Sequence, residues 1–77
     1  MTNFRIGQFV MVSSDNDNDG YDNFRGHKLK IIAKATNTKE HPGYDDCMGG
    51  EPLFDLYDTV TGTDIGFSLY QYELEKF

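Results

Sequence analysis

The chain has 77 residues, 13 acidic against 7 basic, and a formal net charge of −6. That length suits one small domain with a marginal core of its own, and so acidic a surface repels nucleic-acid phosphate over most of its area. The lone cysteine, Cys47, excludes an intrachain disulfide, and the longest apolar run, Phe9 to Val12, is too short for a membrane-spanning helix or a secretory signal. The expectation is a cytoplasmic protein, with one domain over residues 1–77.

Phe4-Arg5-Ile6-Gly7-Gln8 leads into a first predicted strand, Phe9-Val10-Met11-Val12. Alternation turns Val10 and Val12 inward, with Ile6 closing one end of the core, and turns Phe9 and Met11 outward. An outward apolar pair asks for a cover: the middle loop around Tyr44 and Met48, the last residues around Phe77, or a second copy in a weak homodimer. Ser13 to Gly26 has no apolar periodicity and reads as a long Asp/Asn/Ser/Gly loop, with Tyr21 and Phe24 set into it. His27 to Ala35 resumes the alternation. Leu29, Ile31, Ala33 and Ala35 are expected inward, and Lys28, Lys30, Ile32 and Lys34 outward.

Asn37 to Glu51 is a second polar connection, with a turn at His41-Pro42-Gly43-Tyr44 and a break at Gly49-Gly50. From Pro52 onward Phe54 and Leu56 alternate with Asp55 and Tyr57, and later Ile65, Phe67 and Leu69 alternate with Gly66 and Ser68. Val60-Thr61-Gly62 supplies a tight reversal between them, because Gly62 reaches φ > 0 without a Cβ penalty. Leu69-Tyr70-Gln71-Tyr72 breaks the alternation as one 3₁₀ turn would, and Glu73-Leu74-Glu75 makes a short last strand.

These elements predict an all-β fold, a five-stranded barrel with a 3₁₀ turn before the last strand. The opening Ile6-Gly7-Gln8-Phe9-Val10-Met11-Val12 resembles the I-G-D-x-V-x-V start of KOW-type and related SH3-like domains. Gly26-His27-Lys28-Leu29-Lys30-Ile31-Ile32 resembles the Gly-then-strand segment of that group. The His41-Pro42-Gly43-Tyr44-Asp45 loop and the Phe67 to Glu75 ending resemble small SH3-fold proteins of bacteriophages and bacteria. The resemblance implies an SH3-like barrel over nearly the whole chain, in a phage-encoded or bacterial accessory protein. It implies no particular activity, since this barrel hosts many unrelated functions.

Asp15-Asn16-Asp17-Asn18-Asp19-Gly20 matches the start of a calcium loop, where alternate carboxylates converge on one hard cation. The twelfth position is Gly26, so the usual bidentate Glu is missing, and Asp15, Asp17 and Asp19 would hold Ca²⁺ weakly. His27, His41 and Cys47 lack the paired spacing of a zinc site, and no phosphate loop or nucleophile elbow is present. Neither an enzyme nor a required cofactor is expected. Tyr21, Phe24, Tyr44, Tyr57, Tyr70 and Tyr72 are candidates to line one side of the barrel, joined at a partner surface by Phe9 and Met11. The SH3-like resemblance implies docking of an extended peptide there, with acidic residues of the first loop reading an arginine. The competing role is capping of the core ends, assigned first to Tyr70 and Tyr72. A KOW-like alternative is nucleic-acid binding by Arg25, Lys28, Lys30 and Lys34, against which three strand lysines also make an ordinary solvated face. The function expected from sequence is therefore a non-enzymatic, protein-directed binding module.

Overall fold

A computed structural model describes residues 4–15 and 19–77, apart from the side chains of Asp19 and Phe67. Strands β1 (Phe9–Val12), β2 (Leu29–Ala35), β3 (Leu53–Asp58), β4 (Thr63–Tyr70) and β5 (Leu74–Lys76) form one antiparallel sheet in the order β4-β3-β2-β1-β5. The fold is all-β, as expected. The ring of strands expected of a barrel is not closed by pairing: β4 and β5 remain its two edges. A 3₁₀ turn, Gln71–Glu73, joins those edges, close to where the break in alternation put it.

Register decides which side chains share a face. In β3, Phe54, Leu56 and Asp58 are buried, while Asp55 and Tyr57 point to the other face. Leu53 shares the face of Asp55 and is buried as well. Between Ile31 and Ala33 strand β2 carries one extra residue relative to β3. A single-residue bulge flips the alternation beyond it. Ala33 and Ala35 therefore sit opposite Asp55 and Leu53, and Lys34 sits opposite the core residue Phe54. This corrects the uniform in-out pattern predicted for His27 to Ala35. Strand β4 instead gains two residues between its pairings with Tyr57 and Asp55. Two keep the parity, so Asp64 and Ser68 lie on one face, and Gly66 takes φ +85° within the irregularity.

The main core is Val10, Val12, Phe24, Leu29, Ile31, Phe54, Leu56, Leu69 and Leu74, flanked by half-buried Phe4, Tyr21 and Ile65. Ile6 does not close it; the side chain is 64% exposed. A turn in which the Gln8 N–H donates to Arg5 C=O, with Gly7 inside it at φ +91°, brings Phe4 over the core instead. The Phe4 ring centroid stands 6.1 Å from that of Phe54.

The first long loop has structure of its own, a 3₁₀ segment over Asp19–Phe24. Three residues per turn put Tyr21 and Phe24 on one side of it, with their rings 5.8 Å apart. Phe24 consequently belongs to the core, which corrects its assignment to a partner surface. The hairpin between β3 and β4 reverses as expected: the Gly62 N–H donates to Asp58 C=O at 2.9 Å, with Gly62 at φ +74°.

Candidate functional site

The middle loop, residues 36–52, folds back over the outer face of β3 and β4. Its turn forms where Pro42 and Gly43 predict it, with the Tyr44 N–H donating to His41 C=O at 3.0 Å. Tyr44 is then buried, its hydroxyl donating to Glu51 C=O at 2.9 Å. Its ring stands edge-on to Tyr70 at 5.6 Å, and Tyr70 stacks on Tyr72 at 6.2 Å with 15° between planes. Three tyrosines thus form a ladder that runs from a buried ring to one 66% exposed.

The backbone around the ladder is held at each step. The Asp45 N–H donates to Tyr70 Oη at 2.8 Å, the Tyr70 N–H to Glu73 Oε1 at 3.0 Å, and the Tyr72 N–H to Glu51 Oε2 at 3.1 Å. The charge of Glu73, followed by partial burial, raises the Tyr72 phenol above its usual range, so the exposed ring stays neutral. Sequence reasoning assigned core capping to Tyr70 and Tyr72 rather than Tyr44. The assignment reverses for two of them: Tyr44 is the buried ring and Tyr72 the open one.

Beside the ladder lies an open hollow of ≈ 460 Å³, with Leu53 and Tyr70 as its apolar walls. His41, Asp55, Asp64 and Ser68 supply its polar lining. Asp55 and Ser68 meet because they are cross-strand partners, and the Ser68 hydroxyl donates to Asp55 Oδ1. His41 Nε2 lies 3.2 Å from the same carboxylate oxygen and 3.1 Å from Ser68 Oγ. The other ring nitrogen, Nδ1, accepts the Gly43 N–H at 2.9 Å. An accepting Nδ1 places the ring proton on Nε2.

That proton placement matters chemically. In a Ser-His-Asp relay the imidazole receives the serine proton at one nitrogen and donates to the carboxylate from the other. Here serine and aspartate both meet Nε2, which already carries hydrogen, and a backbone N–H occupies Nδ1. The trio is a fixed polar cluster and not a nucleophilic relay. Gly43 is part of its construction: a Cβ there would come within 3.0 Å of His41 Cε1.

The remaining predicted residues disperse. Tyr21 is half-buried, and its hydroxyl donates to Glu73 Oε2 at 2.8 Å. Burial first, then that hydrogen bond and the Glu73 charge, push its phenol up to about 12. Tyr57 faces outward beside Lys30 of β2 and Asp64 of β4, apart from the ladder. Phe9 is 39% exposed, with Lys28 Nζ 4.2 Å from its ring centroid and 5.7 Å from that of Phe77. Lys28 thus partly covers Phe9 and also reaches the ring of Phe77. Met11 is half-buried opposite Glu75.

The basic stripe does not assemble: the β2 bulge takes Lys34 off the face of Lys30, and Arg25 Nε lies 3.1 Å from Asp22. Of the predicted calcium ligands, Asp17 and the side chain of Asp19 lie outside the described residues, and Asp15 is exposed. Among the described residues no group of three or more His, Cys, Asp or Glu converges on a metal position.

Sequence reasoning missed Asp55, Asp64 and Ser68, and took His41 as a turn residue, an unpaired metal-ligand candidate and a base for Cys47 whose spacing fixes no geometry. The signal present was weak: two polar residues at outward positions of adjacent predicted strands. Compared with protein-family models, curated proteins and solved structures, the chain shows no significant match.

Proposed function

We propose that this chain is a small SH3-like, non-enzymatic binding module that docks an extended segment of a partner protein across Tyr70 and Tyr72. The observation that carries this reading is the exposed end of the tyrosine ladder, where Tyr72 stacks on Tyr70 over a hydrogen-bonded 3₁₀ turn. Rigid aromatic surface next to a polar hollow suits recognition of an extended backbone. The SH3-like assignment is supported by the strand order β4-β3-β2-β1-β5, the long first and middle loops and the 3₁₀ turn before β5.

Nucleic-acid binding has less support. Lys28 is engaged with two rings, Arg25 with an aspartate, and Lys34 is on another face. With a net charge of −6 few phosphates would be neutralised.

The test is selection of short random peptides on the immobilised protein, followed by binding measurements on Tyr72→Ala. Peptides that bind the parent and lose about tenfold or more in affinity on the variant are expected of an aromatic anchor. Failure to enrich any peptide, or equal binding to the variant, overturns the reading. Salt-sensitive retention of single-stranded DNA or RNA that disappears in a Lys28/Lys30→Ala protein would favour the rival class.

A further inference from the structure

The hollow beside the ladder is anionic and not internally neutralised. Asp55 Oδ1 receives Ser68 and His41, whereas Asp55 Oδ2 has no hydrogen-bond donor among the described residues. Asp64 likewise spends Oδ1 on the Gly66 N–H at 2.9 Å, and its Oδ2 has no hydrogen-bond donor among the described residues. No lysine or arginine among the described residues forms an ion pair with either carboxylate. His41, with its proton on Nε2 and Nδ1 accepting from Gly43, brings no compensating charge in this arrangement. Two carboxylates from adjacent strands therefore share one hollow, each with an acceptor oxygen to offer.

The walls add shape to the charge. Tyr70 and the His41 ring are flat, and Leu53 supplies an apolar floor. The ring of His41 is locked by Gly43 on one side and by Asp55 and Ser68 on the other. Gly43 and Gly66 both line the hollow without side chains to fill it. A planar cation with donors along its edge matches this lining better than a compact ammonium, because it stacks on rings and reaches two carboxylates at once. Tyr70 belongs both to the ladder and to the hollow, so a chain lying on the ladder can deliver a side chain directly into it.

We propose that this hollow seats the guanidinium group of an arginine carried by the partner segment. The inference rests on the reading of the chain as a protein-directed module and names the residue that module selects. It differs from the arginine site expected in the acidic first loop, because the acceptors come from β3 and β4.

The experiment is an NMR titration of the whole chain with N-acetyl-arginine amide, and with the citrulline and lysine analogues as controls. Saturable shifts at the amides of His41, Gly43, Asp55, Gly66 and Ser68 are expected with arginine. The lysine analogue should respond several-fold more weakly and the citrulline analogue not at all. Asp55→Asn should weaken the arginine response by about tenfold, the size of a lost charge-assisted bond. Asp64→Asn, at an exposed position, gives the same reading should Asp55→Asn disturb the fold. The proposal fails if no shift saturates, if citrulline matches arginine, if neither variant weakens the response, or if the shifts map to Asp15 and Asp19–Asp22. Peptides that depend on Tyr72 but show no arginine preference would sink this inference while leaving the module reading intact. Arginine binding in the hollow without any Tyr72-dependent peptide would do the reverse.

Discussion

Two histidine–aspartate pairs flank the same pair of strands and have opposite characters. At the hairpin end, His27 Nδ1 stands 2.7 Å from Asp58 Oδ2, and the Asp58 side chain is 3% exposed. At the other, His41 Nε2 stands 3.2 Å from Asp55 Oδ1, and the Asp55 side chain is 35% exposed. Asp58 Oδ1 also accepts the Val60 N–H at 2.8 Å and the Thr61 N–H at 3.4 Å. The sealed carboxylate is thus consumed on both oxygens, Oδ1 by the turn that it organises and Oδ2 by His27. The open one is satisfied on one oxygen and held rigid beside a hollow. Residue type does not separate a structural pair from an available one; the number of local donors does.

The largest expected effect is at the sealed pair. Asp58→Ala removes a carboxylate that three groups use, and should cost about 3 kcal/mol in urea unfolding. Asp55→Ala should cost less than about 1 kcal/mol, because its cluster is partly wet and its remaining partners can turn to water. Equal costs would break the comparison. The pH dependence sharpens it. Burial acts to raise the Asp58 carboxyl, but the His27 hydrogen bond and the Val60 and Thr61 N–H groups outweigh it and hold the group below its ordinary value of 3.8. A depressed folded-state pKa gives stability that is present above that ordinary value and lost as pH falls through the folded one. The stability gap between the parent and Asp58→Asn should therefore shrink as pH falls through 3.8 and below.

Much of this was readable from residues alone, and the misses share a cause. Alternation located Phe54, Leu56 and Leu69 in the core, Gly62 marked the hairpin, and the Tyr70–Tyr72 break marked the 3₁₀ turn. The bulge in β2 was not legible, because Ile31-Ile32-Ala33 carries no glycine or polar residue to announce an extra step. That one residue moved Lys34 away from Lys30 and dissolved the predicted basic stripe. Phe24 was misplaced because the Tyr21-x-x-Phe24 spacing is that of a 3₁₀ face, easily lost within a polar loop. The hollow was the least legible feature. His41, Asp55 and Ser68 are brought together by the β3–β4 register and a loop folding back, and neither leaves a local pattern.

A middle-sized effect is expected at Tyr21, whose hydroxyl ties the first loop to the turn below the ladder at 2.8 Å from Glu73. Tyr21→Phe keeps the ring against the core and removes one charge-assisted bond, at a cost of about 1–2 kcal/mol. Its phenol, held up at about 12 against an ordinary 10.0, contributes stability that is complete below pH 10.0 and is lost as pH rises toward 12. Alkaline unfolding followed by far-ultraviolet dichroism checks this. The parent should lose its advantage over Tyr21→Phe across that interval. An advantage that persists unchanged through it would mean that the Glu73 link does not hold the loop.

The smallest expected effect on stability is at Gly43, and it asks whether the open pair is held by its loop. Gly43 does not occupy the left-handed region, so alanine is compatible with the backbone there. The added Cβ would meet His41 Cε1 at 3.0 Å and Nδ1 at 3.2 Å, both atoms of a side chain that can yield. Gly43→Ala should therefore change unfolding free energy by no more than about 0.5–1 kcal/mol. The ring itself should move by a few tenths of an ångström, lengthening the Gly43 N–H to Nδ1 bond. Nitrogen-15 shifts of the imidazole report the change directly: the contrast between Nδ1 and Nε2 should diminish in the variant, with the Ser68 amide shifting in concert. In Asp58→Ala the His41 signals should stay in place, since that pair lies at the other end of the strands. Unmoved His41 signals in Gly43→Ala would show that Asp55 and Ser68 alone hold the ring, and the hollow would then be shaped by the strands without help from the loop.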